Sequence, residues 1–206
     1  MLKRTKGRLL ISLLVVTGLA GTMDNNSVTQ RERKYALNIM KEGKVNMHEE
    51  EKGLSEKQLN FTTPAHPLSI KQCLMQMAFT EQQLWETVTT TLKKTANPER
   101  RRDIKFSDDE IIQLTENGHI TAGSNTFKRA NAPWKNVTAA ISGFKTMRND
   151  HIKYMKNSTE DLRNHVTLTP AGWVDCYQYI LIMSAETNRY IKYIAELKNT
   201  KGFPAK

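Results

Sequence analysis

The chain has 206 residues, with 31 Lys and Arg against 21 Asp and Glu and a net charge of +10. That length suits one domain with a real core plus a removable leader, and a hydrophobic fraction of 38% describes a water-soluble chain. Two cysteines exclude a disulfide-stapled scaffold. The one dense basic run, Arg100-Arg101-Arg102, is diluted by Glu99 and Asp103 and has no aromatics interleaved for base stacking, so nucleic acid is not an expected partner.

Residues 1–20 read as a secretory signal. Lys3, Arg4, Lys6 and Arg8 form a basic start, Leu9 to Leu19 a short apolar run, and Gly18-Leu19-Ala20 offers small residues for cleavage. The apolar run is about half of the ~20 residues that a spanning helix needs. Cleavage near Ala20 is expected, leaving residues 21–206 with about +6 and no stable membrane anchor. The expected destination is the periplasm or the exterior.

Thr29-Gln30-Arg31-Glu32 is a capping box that opens a first helix. Ala36, Ile39, Met40, Val45 and Met47 continue it at helical spacing, while Gly43 and Glu49-Glu50-Glu51 weaken its later turns. Gly53-Leu54-Ser55 stops it, and Thr63-Pro64-Ala65-His66-Pro67 is a stiff connection. A second capping box at Ser69-Ile70-Lys71-Gln72 starts a helix expected to reach about Lys94. Its apolar face takes Cys73, Met77, Leu84 and Val88, with Gln76 and Glu81 on or near that face and Trp85 beside it. Ser107-Asp108-Asp109-Glu110 caps a short helix through about Glu116, and His119 to Asn136 is expected as a long surface loop.

Another long helix is expected from Val137 to Lys156, with Ala140, Ile141, Phe144, Arg148, Ile152 and Met155 on one face. Ser158 to His165 reads as a turn, Pro170-Ala171-Gly172 as a lead-in, and Trp173 to Lys198 as the last and most apolar helix. No strand is expected. The fold class is therefore all-α: a four-helix bundle with an extra short helix and a long loop between its second and third long helices.

Chemistry concentrates on the last helix. Tyr179, Met183, Glu186, Tyr190, Ile194 and Leu197 share one inward face. A carboxylate there must be paired, hydrated by a cavity, or protonated. Gln76 occupies a comparable place on the second long helix. The histidines, His48, His66, His119, His151 and His165, are scattered without metal-ligand spacing and are expected at the surface or rim. If Gln76 and Glu186 are level, Cys73 and Cys176 lie at least ~10 Å apart along the axis, so two free, buried thiols are expected.

Four stretches, together with the leader, carry a resemblance to the DinB-like superfamily. They are Ser55 to Trp85 (SEKQLNFTTPAHPLSIKQCLMQMAFTEQQLW), Ala96 to Arg101 (ANPERR), Asp161 to Val166 (DLRNHV) and Asp175 to Lys198 (DCYQYILIMSAETNRYIKYIAELK). The resemblance implies a helical bundle with a three-histidine site for a divalent metal such as zinc or nickel. One histidine is implied in a C-L-x-H-[IL]-A pattern and two in an A-H-x-x-R-H-x-x-Q-I pattern. Laid on this chain, those positions are Gln76, Glu186 and Tyr190; only Arg189 of the neighbouring polar motif remains. All three imidazoles are replaced, so the metal site reads as degenerate and no cofactor is expected.

The leading expectation is an exported bundle acting as a non-catalytic binding or structural module. One alternative is a small-ligand pocket built from Gln76, Glu186 and Tyr190, with Glu81 and Arg189 beside them. The other is a thiol-dependent, transferase-like enzyme with Glu186 recruited to a divalent metal. An unidentified small ligand and a homodimer partner are both left open.

Overall fold

The computed structural model describes residues 28–120, 133–169 and 172–205. The expected leader and most of the expected surface loop lie outside these residues. The capping boxes at Thr29, Ser69 and Ser107 form as expected, each side chain accepting from the backbone of the third helical residue. They open α1 (Gln30–Glu51), α3 (Ile70–Leu92) and α4 (Asp108–Glu116). Ser55 does the same for a one-turn α2 (Glu56–Leu59), read from sequence only as the end of α1. Asn136 caps α5 (Val137–Asn157) and Asp175 caps α6 (Cys176–Lys198).

The fold is a mostly helical four-helix bundle, as expected. Its long members are α1, α3, α5 and α6, and each packs on two of the others in the ring α1–α6–α3–α5. Directions follow from side-chain contacts. Tyr177 reaches Glu32 and Lys198 reaches Glu50, so α6 runs parallel to α1. Cys176 meets the Val88 carbonyl and Tyr193 meets Leu68, so α6 is antiparallel to α3. Glu81 binds Arg148, and one turn on Trp85 packs on His151 and Tyr154, so residue numbers rise together and α3 and α5 are parallel neighbours. Parallel neighbours need a connection that returns the length of the bundle. A 3-10 helix (Pro98–Asp103) and α4 supply part of that return. Helix α4 lies along the outer side of α6, where Asn188 and Lys192 bind Glu116. With α1, α3 and α4 on three sides, every residue from Cys176 to Thr187 is buried, which is why this helix is apolar nearly all round.

A β-hairpin precedes α6, contrary to the expectation of no strands. Strands β1 (Val166–Thr169) and β2 (Gly172–Asp175) pair antiparallel, with Val166 opposite Asp175 and Leu168 opposite Trp173. The Asp175 side chain accepts from the Gln178 amide at 2.7 Å and so fixes the helix start at Cys176. Trp173 and Val174, expected in the helix, are left extended and pair with β1. Gly172 has a φ of +108°, which only glycine adopts without strain.

Arg163 ties together the starts of three helices. Its guanidinium binds Glu32 at the start of α1, Asp108 at the start of α4 and Asp175 before α6, and it lies 4.1 Å from the Tyr177 ring centre. Those carboxylates also sit where helix N-termini favour negative charge.

Candidate functional site: a polar layer across the bundle

The core is two apolar clusters with a polar layer between them. One cluster holds Met40, Leu84, Met155 and Met183. The other holds Met47, Met77, Phe144 and Tyr190. On α3, α5 and α6 the gap between the clusters carries buried polar side chains, and on α1 it carries Gly43.

Arg148 occupies the middle of this layer and touches all four long helices. From α5, its Nε donates to Glu81 Oε1 at 2.9 Å and its Nη2 to Glu81 Oε2 at 2.6 Å, both on α3. Nη2 also donates to Thr187 Oγ1 of α6 at 2.9 Å, and Nη1 reaches the Met40 carbonyl of α1 at 3.4 Å. The Thr187 hydroxyl in turn donates a hydrogen bond to the Met183 carbonyl at 3.1 Å. His151 Nδ1 lies 2.7 Å from Glu81 Oε1, and the Trp85 indole stacks on the His151 ring at 3.9 Å. Burial pushes the Glu81 carboxyl upward, but the Arg148 charge and the bonds from His151 and Arg148 outweigh it and hold the group below its ordinary range. His151 is 4% exposed, not at the surface as expected, because Glu81 and Trp85 of α3 cover it.

Glu186 lies next to Thr187 in sequence and is 3% exposed. Arg189, one turn on, donates to Glu186 Oε2 from Nε at 3.0 Å and from Nη2 at 2.5 Å. The same guanidinium lies 4.4 Å from the Tyr190 ring centre. Burial raises the Tyr190 phenol above its usual range, so it stays protonated at neutral pH. Interpolating between the Cys176–Val88 and Tyr193–Leu68 contacts puts Gln76 level with Glu186. Gln76 is half-buried, and its amide donates to Thr80 Oγ1 at 3.3 Å.

Glu186, Arg189 and Tyr190 thus form one group, with Gln76 at the same height on α3. Glu81 belongs to the Arg148–His151 group instead. Sequence reading missed Arg148, His151 and Thr187 as members of the layer. The usable signal was Arg148 on a face otherwise made of Phe144, Ile152 and Met155: an arginine there demands a buried acid, and Glu81 was available on α3.

Both cysteines are free and buried, as expected. Cys176 meets the carbonyl of Val88, which lies fifteen residues beyond Cys73 on α3, or about 22 Å along the axis. Burial pushes both thiols up to about 12, so neither is a ready thiolate.

No protein-family model matches the chain, and no curated protein matches it in sequence. Among solved structures the chain is similar to YfiT from Bacillus subtilis, with a TM-score of 0.61 over 86% of this chain and 91% of that one, at 9% identity. That protein is described as a probable metal-dependent hydrolase with an unusual four-helix bundle topology. The likeness establishes the fold alone: a four-helix bundle with the topology seen in YfiT.

Gln76, Glu186 and Tyr190 do not make a divalent-metal site. Gln76 is a neutral amide, Tyr190 a phenol held protonated, and Glu186 a carboxylate whose Oε2 takes two bonds from Arg189. Among the described residues, no three His, Cys, Asp or Glu side chains converge as metal ligands do.

Proposed function

We infer that this chain is a metal-independent member of the YfiT-type fold, exported by its leader and serving as a non-catalytic binding or structural module. The observation that carries the reading is the Glu186–Arg189 pair beside Tyr190. A guanidinium, already cationic, supplies at this position the positive charge that a metal would bring, and it satisfies the buried carboxylate from within the same helix. The metal-dependent hydrolysis ascribed to YfiT is therefore not carried over to this chain. The test is metal analysis of the purified protein together with its melting temperature in zinc, in nickel and in chelator. Substoichiometric metal and a Tm unchanged by all three are expected. A stoichiometric, tightly held ion, or a Tm that rises with added metal, would overturn the reading.

A small-ligand pocket is the second reading, favoured by one observation: Gln76 and Arg189 are both only partly buried at the same height. It predicts that polar fragments perturb the NMR signals of the Gln76 amide and the Arg189 Nε group together. Perturbation of neither by any fragment counts against it.

A further inference from the structure

The hairpin end of the bundle carries a surface that the polar layer does not use. Between α3 and α4, the segment from Lys93 to Lys105 holds Lys93, Lys94, Arg100, Arg101, Arg102 and Lys105 against Glu99 and Asp103. All six cations are exposed.

The segment is fixed against the hairpin. The Asn97 side chain mimics a strand partner: its Nδ2 donates to the Val166 carbonyl at 3.0 Å, and its Oδ1 accepts from the Val166 amide at 2.8 Å. The Lys94 carbonyl meets His165 Nε2 at 3.1 Å. Arg100 places its guanidinium 5.0 Å from the Trp173 ring centre. Trp173 is paired in register with Leu168, so the two side chains share one face of the hairpin. Leu168 is 63% exposed, the most exposed large hydrophobic among the described residues.

We propose that this surface, with Leu168 and Trp173 at its tip and the 93–105 cations around it, docks peripherally on anionic phospholipid. The two parts match the two layers of such a membrane. A leucine and a tryptophan side by side suit the boundary between headgroups and acyl chains. Six cations in thirteen residues suit lipid phosphates, and clusters of four to eight Lys or Arg are the usual size for this role. Nucleic acid fits the same cations less well. It offers no apolar phase for Leu168, the most exposed large hydrophobic among the described residues. Docking would be reversible, because no helix among the described residues is long and apolar enough to cross a membrane.

The test uses the leader-free chain, residues 21–206, with vesicles of phosphatidylglycerol and phosphatidylcholine whose acyl chains carry bromine, which quenches only an indole that reaches the acyl boundary. Quenching is expected with anionic vesicles, is expected to be lost in W173F, and is expected to be absent with phosphatidylcholine alone. The paired change R101E/R102E should weaken binding by about tenfold or more, since each cation near an anionic surface contributes on the order of a factor of five. L168E should abolish the quenching; both variants alter exposed residues, and their melting curves should match the parent. Quenching that persists in W173F, binding that ignores both variants, equal binding to uncharged vesicles, or tighter binding to duplex DNA that survives L168E would each overturn the proposal.

Discussion

Arg148 and Glu81 face each other with both side chains at 0% exposure, joined by two hydrogen bonds between parallel helices. Neither could remain charged in the core alone. Together with His151 and Thr187 they make a layer that fixes how all four long helices register.

Removing one partner should therefore cost far more than removing both. R148M leaves a buried carboxylate without its guanidinium and should destabilise by about 3–5 kcal/mol. Adding E81L should recover a large part of that loss, because the stranded charge goes with it. Urea denaturation of both variants measures this. A single-variant cost below about 1 kcal/mol would show that the pair contributes little.

Two carboxyls should shape the pH dependence with opposite signs. Glu81 is held below its ordinary value, so its contribution is present above about 4.5 and is lost as pH falls through the lower folded value. Asp175 behaves the other way. Burial, only partly offset by Arg163, raises it from 3.8 to about 6. Its contribution is full below 3.8 and is lost as pH rises through about 6. The parent should thus lose on the order of 1–3 kcal/mol relative to D175N between those limits, since asparagine keeps the helix cap but cannot ionise. Parallel stability curves for the two proteins across that window would refute the assignment.

Two mid-helix glycines should respond oppositely to alanine. A Cβ on Gly43 would meet Thr187, Arg148 and Asn188 atoms at 3.5–3.6 Å, ordinary contact distances. G43A should therefore stabilise α1 by roughly 0.5–1 kcal/mol. A Cβ on Gly143 would lie 2.3 Å from Trp134 Nε1, so the indole must leave its seat. G143A should cost about 1–3 kcal/mol and shift the tryptophan emission. Thermal melts with a fluorescence readout distinguish the two.

The thiols should be silent in the native protein. Both are fully buried and raised to about 12, so a thiol-reactive dye should titrate neither Cys73 nor Cys176 at neutral pH. In denaturant it should titrate two equivalents. Slow labelling of Cys73 alone would report local opening beside Arg189 and Tyr190.

The sequence by itself determined what depends on neighbours within a few residues. Ser or Thr with Glu or Gln three residues on set the starts of α1, α3 and α4, and helical periodicity set the four long amphipathic faces. The apolar character of α6 marked it as the buried member. That Glu186 and Tyr190 share the inward face of α6 was also legible, as was the demand that Glu186 be paired. The hairpin was not: β1 and β2 are four residues each, and their pairing is a contact between segments. Only the tertiary structure decided which charge answers which. Arg189 was one turn from Glu186 and could be seen from either description, but Glu81, Arg148 and His151 come from helices that register only through packing. An ion pair in a core is fixed by which helices lie side by side and in which direction. Here α3 and α5 run parallel, and that choice put His151 behind Trp85 instead of in water.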